Sequence, residues 1–398
     1  MTERLRLCII GGPDVDKRIP LLQRLEDDFE VSAIGSEASI AARFEQFGYR
    51  FESYPLSRRF DLGSDLQAVL SLRSRIRRLR PQIVHCFDTK PSVVGRIAAR
   101  LEGVPVVLAT LPGLGGLFTY HSLQVRWRRW VYLHLHRLAC RLSDRTVFQN
   151  ADDRDRFCRL DVVNHARSHL IRGSGVCASR FNRDVVSPGK RVATRRNFGL
   201  DGQAPVVTLV SRLIRSKGIV DLLDAVPFIR AGRPNVQIVA VGGLDPEAVD
   251  RLSRREVDRL RQQVIWLGER AEIPELLACS DVLVFPSFYR EGIPRVLVEA
   301  ALLGVPIACA DNVGSCEVVE HERTGLCFPA RRPRLLASTV LRLLDDLPLR
   351  TRLAEEARRH ALQYFELSVI ADQHQALYRD LWENHSRPSG QSVICAGA

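Results

Sequence analysis

The sequence predicts an α/β protein of two doubly wound, parallel-sheet domains that face each other across a cleft. Its 398 residues exceed one ordinary domain and suit two domains of about 150–200 residues each. Apolar, strand-like runs alternate with helical patterns along the whole chain, which is typical of parallel sheets covered by helices. A polar, proline-containing stretch over residues 182–196 separates two such series and is the predicted linker.

The first series begins with the apolar strand LRLCIIGG at residues 5–12, which ends in a glycine turn at Gly12. A capping box from Ser64 to Gln67 predicts the start of a helix that ends before Pro81. The later elements are the strand QIVHCFD, the helix VGRIAARLEG, the strand VPVVLAT, a helix from Leu123 to Leu142, and the strands RTVFQN and SHLIRGSG.

The second series begins near Ala204 with the strand PVVTLVSRL. It continues with the helix IVDLLDAVPFIRA, the strand VQIVAVGG, a charged helix over residues 247–263, the strand VIWLGE, the helix IPELLACS, the strand VLVFPS, the helix PRVLVEAALLG and the strand VPIACA. We expect a first domain over residues 1–185, a second over 186–365, a helix over 366–385 that crosses back to the first domain, and a flexible tail over 386–398. Ligands of such sheets bind outside the carboxyl ends of the strands.

The composition, 45% hydrophobic and 26% charged, is typical of a globular protein. No run of about 18 apolar residues is present, which argues against a membrane-spanning helix. The first residues lack the pattern of a signal peptide, so we expect a cytoplasmic protein. The ten cysteines include no C-x-x-C pair, and no cluster of metal-ligand residues stands out. We therefore expect free thiols, no metal and no cofactor.

The positive charge is concentrated in the first half of the chain. Residues 1–190 hold 31 Lys and Arg against 20 Asp and Glu, whereas the remaining residues hold 27 against 26. This surplus predicts an anionic partner, either a membrane surface, a phosphorylated acceptor or nucleic acid. The helix from Leu123 carries an apolar stripe beside several arginines, consisting of Trp127, Trp130, Val131, Leu135 and Leu138. Such a stripe suits an anionic bilayer interface or belongs to the core. The arginines over residues 73–80 leave the same choice between a second basic patch, which would bind a diphosphate or a membrane, and a solvated face.

The segment EGIPRVLVE, from Glu291 to Glu299, predicts a ligand site. Pro294 in the first turn and Gly304 after the end mark a helix, whose first amides can bind an anion. Gly292 lets a ligand approach the backbone, and the Glu291 carboxylate can accept hydrogen bonds from sugar hydroxyls. Glu299, two turns later, suits the two hydroxyls of a ribose. The alternative is an ordinary salt bridge between Glu299 and Arg295.

The segment VSRLIRSKG follows a predicted strand and contains Arg212 and Lys217. Two cations and a glycine in such a loop can bind a diphosphate. The chain has only four lysines among 58 basic residues, and Lys217 is the only one after residue 190. A compact ammonium in a chain that favours arginine indicates a site that needs a point charge, although its presence by chance is the alternative.

These motifs together resemble family 4 of the retaining glycosyltransferases, which have the GT-B fold of two facing Rossmann-like domains. The resemblance rests on SRLIRSKG, WLGE and the long segment VFPSFYREGIPRVLVEAALLGVPIACADNVGSCEVVEHERTGLCF. It implies that Arg212 and Lys217 bind the donor diphosphate, that Glu291 contacts the transferred sugar and that Glu299 contacts the ribose. Gly12, Gly292 and Ile293 are further candidate donor-binding residues. The residue at Pro294 is commonly a second glycine, so this chain offers one amide fewer.

The first half resembles the branch that assembles capsule, exopolysaccharide or O-antigen repeat units on polyprenyl diphosphate. The similar stretches are HCFDTKPSVVGRIAARLEGVP, PGLGG, VFQNADDRDRF and IRGSGV. Many relatives have a histidine after the strand that ends near Thr110, where this chain has Leu111 and Pro112. Cys177 stands where an aspartate is common.

The resemblance implies a metal-independent transferase that moves a hexose or N-acetylhexosamine from a nucleotide sugar, expected to be a UDP-sugar. The implied acceptor is a lipid-linked saccharide, and the implied location is the inner face of the cytoplasmic membrane, without nucleic acid as a partner. The family's leaving phosphate is thought to receive the acceptor proton. The alternatives are a nucleotide-sugar epimerase of the same fold and a non-catalytic protein that binds membrane or nucleic acid.

Overall fold

The structure is a computed structural model that describes residues 4–57, 61–120 and 122–387. Of the tail expected over residues 386–398, all but Ser386 and Arg387 lies outside the described residues. Two parallel sheets form the two halves of the protein, as the sequence predicts. No described helix is long and apolar enough to cross a bilayer.

The first sheet has the strand order β3-β2-β1-β4-β5-β6-β7 in the described part of the chain. Its strands are β1 (Leu5–Ile10), β2 (Phe29–Gly35), β3 (Arg50–Ser53), β4 (Ile83–Phe87), β5 (Val106–Leu111), β6 (Arg145–Phe148) and β7 (Ser168–Leu170). The helices around it are α1 (Ile19–Leu22), α2 (Ala41–Glu45), α3 (Leu62–Leu79), α4 (Pro91–Leu101), α5 (Gly116–Thr119), α6 (Leu123–Arg141) and α7 (Ala151–Arg159).

The second sheet has the order β10-β9-β8-β11-β12-β13 among the described residues. Its strands are β8 (Val206–Val210), β9 (Gln237–Val241), β10 (Ile265–Trp266), β11 (Val282–Phe285), β12 (Ile307–Ala310) and β13 (Leu326–Phe328). The remaining helices are α8 (Arg191–Asn197), α9 (Ile219–Gly232), α10 (Arg254–Gln263), α11 (Ile273–Ala278), α12 (Arg295–Leu303), α13 (Val313–Cys316), α14 (Pro333–Asp345), α15 (Leu347–Tyr364) and α16 (Leu367–Ser386).

In each sheet the strand order reverses direction beside the first strand, between β1 and β4 and between β8 and β11. The strands pair in parallel, with Leu7 opposite Ile83 in one sheet and Val207 opposite Val282 in the other. Buried aliphatic side chains such as Ile9 and Leu209 fill the layers between sheet and helices. The carboxyl ends of both sheets therefore line the space between the domains, where ligands of such sheets bind.

Two predicted helix starts are wrong, and the predicted linker contains a helix. Helix α3 begins at Leu62, because Asp61 is its N-cap and accepts a hydrogen bond from the Ser64 amide at 2.9 Å. Helix α10 begins at Arg254, after a capping box of Ser253 and Glu256, and not at residue 247. The predicted linker contains α8, whose Arg195 is buried and pairs with Asp281 at 2.7 Å.

The chain passes between the domains twice, and the two passages touch. The Val176 amide donates to the Phe365 carbonyl at 3.0 Å, and the Leu367 amide donates to the Val176 carbonyl at 3.1 Å. Beyond this point α16 packs on the core of the first domain, with Ile370 and Tyr378 fully buried there. Tyr378 contacts His85 Nδ1 through its hydroxyl, which lies 2.6 Å away.

Two buried histidines at this contact predict a loss of stability in acid. Burial is the main cause that lowers the pKa of His85 well below 6.5, and it lowers the pKa of His374 to about 3. Between pH 3 and 6.5 the unfolded chain binds a proton that native His374 does not, so this stability is complete above pH 6.5 and falls in acid. We expect His374→Phe to reduce the pH slope of the unfolding free energy by about 1.4 kcal/mol per pH unit below pH ~6.

Urea unfolding between pH ~7.5 and ~5 measures this slope. The control is His134→Phe, because His134 is exposed on α6. An unchanged slope in His374→Phe would mean that this histidine is not held neutral by the fold.

Candidate active site

The loops after β8 and β11 lie side by side and bring Lys217 to Glu291. The turn of residues 215–217 ends at Gly218, where a Cβ would lie 2.2 Å from the Pro286 carbonyl oxygen, so only glycine fits. Lys217 Nζ then lies 2.6 Å from Glu291 Oε1, and both side chains are largely buried. Ser287, also buried, donates its hydroxyl to the same oxygen at 3.0 Å. A cation and a carboxylate from two predicted motifs are therefore in direct contact.

Arg212 lies at the edge of this cluster. Its Nη1 is 2.9 Å from Asp245 Oδ2, and its side chain is more than half exposed. Arg212 lines a cavity of about 800 Å³ between the domains, together with Tyr120 of the first domain and Tyr289 of the second. Lys217 and Glu291 are not among the residues that line this cavity. Tyr289, which does line it, has its ring centre 5.2 Å from Lys217 Nζ, so Lys217 lies just behind the wall of the cavity that Arg212 lines.

Helix α12 has the predicted boundaries and carries Glu299 on its partly buried face. Pro294 is its N-cap, and Gly304 ends it with a left-handed φ of 72°. Glu299 Oε1 lies 3.6 Å from Arg295 Nε, so the salt bridge proposed as the alternative is present, although it is long. Burial raises the pKa of Glu299, while the charges of Arg295 and Arg180 lower it. The geometry leaves the carboxylate available for a second hydrogen-bonding partner.

Gly292 is required by the protein itself. A Cβ at Gly292 would lie 1.7 Å from the Pro112 carbonyl oxygen and 2.5 Å from Gln149 Oε1 of the first domain. A Cβ at Gly113 would lie 2.4 Å from the Gly292 amide nitrogen, and one at Gly314 would lie 2.4 Å from its carbonyl oxygen. Gly113 and Gly292 therefore let the two domains touch backbone to backbone, and Gly314 makes a similarly close contact within the second domain. The prediction that Gly292 also lets a ligand approach stays a prediction.

Arg290 joins the domains next to this contact. Its Nε donates to Asp153 Oδ1 at 2.7 Å, and its Nη2 contacts Asp152. Asp153 is buried at the start of α7, and burial raises its pKa despite the nearby guanidinium. The Arg290 amide also donates to Thr119 Oγ1 at 3.1 Å. Sequence reasoning missed these partners, because no local pattern links residues so far apart in the chain.

The ends of strands β1 and β5 and the loop after β7 supply mainly neutral groups on the first domain's side of the cleft. Gly12 donates its amide to Asp88 Oδ2 at 3.3 Å, at the end of β1. Thr110 is buried, and its hydroxyl lies 2.8 Å from His85 Nε2. Ile293 packs on the loop of Gly173, where an added Cβ would lie 3.2 Å from the Ile293 Cβ. Where many relatives have a histidine, this chain has Leu111 and Pro112, and Pro112 directs its carbonyl oxygen at Gly292.

The outer surface of the first domain exposes apolar side chains on two helices that flank α4. The stripe on α6 is not core at its tryptophans, because Trp127 is 66% exposed and Trp130 is 57% exposed. The buried face of α6 instead carries Tyr132, His136, Ala139 and Cys140. Helix α3 exposes an equally spaced row, consisting of Leu62, Leu66 and Leu70.

The arginines of α3 are mostly paired. Arg73 and Arg77 contact Glu102 at 2.7 and 3.0 Å, and Arg78 contacts Glu52. Arg75 donates to the backbone carbonyl of Ser53. Of the two interpretations of residues 73–80, the structure favours an ion-paired, solvated face.

Comparison with known proteins identifies both domains. The model "Glycosyl transferase 4-like domain" matches residues 21–172, and "Glycosyl transferases group 1" matches residues 190–360. An N,N'-diacetylbacillosaminyl-diphospho-undecaprenol α-1,3-N-acetylgalactosaminyltransferase of Campylobacter jejuni is 25% identical over 92% of this chain and 96% of its own length. A UDP-Gal:α-D-GlcNAc-diphosphoundecaprenol α-1,3-galactosyltransferase of Escherichia coli is 26% identical over 90% and 91%.

The fold is likewise shared with solved structures. Anabaena HepE, in complex with UDP and glucose, superimposes with a TM-score of 0.79 at 21% identity, over 95% of this chain and all of HepE. Fold and matched domains define a glycosyltransferase with the GT-B architecture. The chain belongs to family 4 of these enzymes, and the family predicted from the motifs is confirmed.

Proposed function

We propose that the protein transfers a hexose or N-acetylhexosamine from a UDP-sugar to a saccharide carried on polyprenyl diphosphate, in polysaccharide assembly. The observation that carries this proposal is the similarity to two transferases named for diphospho-undecaprenol acceptors, which extends over at least 90% of this chain in both cases. One of them is named for a UDP-galactose donor. The donor class and the acceptor class are both inferred from these relatives, so each needs its own test.

The contact of Lys217 with Glu291 supports a donor site at this point of the cleft. When the bond from the anomeric carbon to the phosphate oxygen breaks, negative charge develops on the leaving nucleoside diphosphate. We assign the stabilisation of that charge to Lys217, Arg212 and the first amides of α12, without a metal. Lys217 Nζ also holds the Glu291 carboxylate in place, at 2.6 Å from Oε1. In that position the carboxylate can accept hydrogen bonds from the hydroxyls of the sugar. The acceptor hydroxyl bonds to the anomeric carbon, and its proton goes to the leaving phosphate.

An anionic bilayer is the proposed location, at the inner face of the cytoplasmic membrane. Trp127 is exposed near the start of α6, and Leu66 is exposed near the start of α3. Each helix begins a few residues after one that lines the cavity between the domains, Tyr120 before α6 and Ser57 before α3. The exposed Arg126 and Arg128 add positive charge to the same surface. Apolar anchors beside basic residues suit an anionic lipid interface. A bilayer at this surface would bring a lipid-linked acceptor to the mouth of the cavity.

The test of function is a transfer assay with UDP-sugars and synthetic polyprenyl-diphosphate saccharides, with and without a metal chelator. We expect sugar transfer that the chelator does not abolish. Conversion of the donor sugar without acceptor would identify an epimerase instead. Strict dependence on a divalent metal would contradict the assignment of charge stabilisation to the chain's own cations.

The membrane surface gives a separate prediction. Burial of one large apolar side chain contributes about 1.5–3 kcal/mol, so the loss of two in Trp127→Ser with Trp130→Ser should weaken binding to anionic vesicles about 10²- to 10⁴-fold. Sedimentation with vesicles of mixed neutral and anionic lipid measures this change. Phe228→Ser, an exposed apolar residue of the second domain, is the matched control and should bind like the wild type. Equal binding by the double tryptophan variant would place the membrane contact elsewhere.

A further inference from the structure

Arg18 is a cation with few partners in the wall of the cleft. It follows β1 and directly precedes α1, and its Nη1 donates to the Ser174 hydroxyl at 2.5 Å. Its guanidinium carbon lies 4.5 Å from the centre of the Phe87 ring. A guanidinium has five N–H donors, and within the described ranges Ser174 is the only hydrogen-bond acceptor that Arg18 reaches. Ser174 is held in turn by the Gln149 side-chain amide at 3.2 Å.

No carboxylate of the described ranges lies within 4 Å of Arg18. Burial lowers the pKa of Arg18 although part of its surface remains open to the cleft. Asp88 and Asp14 act on it only from a distance, and the charge of Arg295 lowers its pKa further. Arg295 belongs to the first turn of α12 in the other domain.

Other buried arginines of this protein are fully occupied. Arg195 pairs with Asp281 and donates to three backbone carbonyls. Arg96 lacks a carboxylate, yet all three of its nitrogens have neutral hydrogen-bonding partners. A desolvated cation without such partners lowers the stability of the fold. The presence of Arg18 in the wall of the cleft is therefore explained if a bound anion accepts its remaining hydrogen bonds.

We propose that Arg18 forms a phosphate-binding subsite in the wall of the cleft, beside Ser174 and Phe87. This inference rests on the proposed function, in which donor and acceptor each carry a diphosphate. Planar guanidinium groups bind phosphate oxygens through paired hydrogen bonds. The subsite is additional to Lys217 and Arg212, since Arg18 comes from the opposite domain.

The test is Arg18→Met, with Arg18→Lys as the variant that keeps the charge and Lys17→Met as the matched control. Lys17 is the neighbouring residue, exposed and paired with Asp14 at 3.0 Å. Without ligand, Arg18→Met should melt at or above the wild-type temperature, because it removes a desolvated charge that has no carboxylate partner. A structural role for Arg18 would instead lower the melting temperature.

Binding of inorganic pyrophosphate, measured by calorimetry in a Lys217→Ala background, isolates the subsite from the other cations. A charge-assisted hydrogen-bonding pair contributes about 1.5–3 kcal/mol, so Arg18→Met should weaken this binding about 10- to 100-fold, whereas Lys17→Met should not. Arg18→Lys should restore part of the affinity. Unchanged pyrophosphate affinity in Arg18→Met, or no binding in the Lys217→Ala background, would overturn the proposal.

Steady-state kinetics distinguish the source of the phosphate. A raised KM for the lipid-linked acceptor with an unchanged KM for the donor assigns the subsite to the acceptor diphosphate, and the reverse assigns it to the nucleotide. If the wild type transfers no sugar to such acceptors, the proposed function fails, and the pyrophosphate measurement still decides the subsite. If transfer occurs and Arg18→Met leaves both KM values unchanged, the proposed function stands and this inference falls.

Discussion

Lys217→Ala should lower kcat by about 10²- to 10³-fold, the usual loss when one preorganised charge-stabilising group is removed. Lys217 places its ammonium 2.6 Å from Glu291, largely out of water, where its charge acts strongly on a developing anion. The substitution also removes the partner of a partly buried carboxylate. We expect this second effect to cost about 1–2 kcal/mol of unfolding free energy, since Ser287 still donates to Glu291.

The measurement is kcat with saturating donor, alongside urea unfolding of the same preparation. Lys190→Ala is the matched control, because Lys190 is exposed in the segment between the domains. Lys217→Arg keeps the charge but replaces a compact ammonium with a planar group, so partial recovery is expected. A kcat for Lys217→Ala within a few-fold of the wild type would show that Lys217 does not stabilise the charge of the leaving diphosphate.

Arg290→Met should uncouple the two domains and destabilise their contact by about 3–5 kcal/mol, the usual cost of breaking a buried ion pair from one side. The loss arises at Asp153, which is buried and would keep a carboxylate without its cation. Asp152 is half exposed and should contribute little. We expect urea unfolding to change from one transition towards two, one for each domain.

A double-mutant cycle with Asp153→Leu separates the pair from its surroundings. Removal of both charges should recover much of the stability, because an apolar pair leaves no unpaired charge. Arg323→Met, which removes an exposed pair with Glu320, is the control and should change the unfolding free energy by less than about 0.5 kcal/mol. Additive effects of the two single variants would show that the Arg290–Asp153 contact does not couple the domains.

Local patterns predicted most of the architecture and the helix that carries Glu299. Helix α12 follows from a proline at its start and a glycine at its end, two signals that act through backbone geometry. Lys217 and Glu291 were both predicted, but their direct contact was not. The contact depends on the pairing of β8 with β11, which brings together residues 74 positions apart only in the folded sheet.

Two features could not be decided from local patterns. Periodicity assigns Trp127 and Trp130 to one face of α6 but does not say which face meets the protein, and the structure buries Tyr132 and His136 instead. Gly292 was predicted to let a ligand approach, and the sequence does not show that the nearby Pro112 carbonyl also requires a glycine there. Both answers depend on contacts with distant parts of the chain, which a local pattern does not contain.

The hydrogen-bonded pair of passages at Val176 and Phe365 has a mechanical consequence. Because both connections meet at one place, the domains share a single pivot rather than two separate tethers. Opening of the cleft would then be a rotation of one domain about that pivot. The displacement of a residue in the cleft would grow with its distance from the pivot. A side chain added at Gly175 would have its Cβ 2.8 Å from Leu367 Cδ1 and should restrict this rotation, while every proposed ligand-binding side chain stays unchanged. The rate of domain rotation, and with it turnover, should therefore respond to substitutions at the pivot.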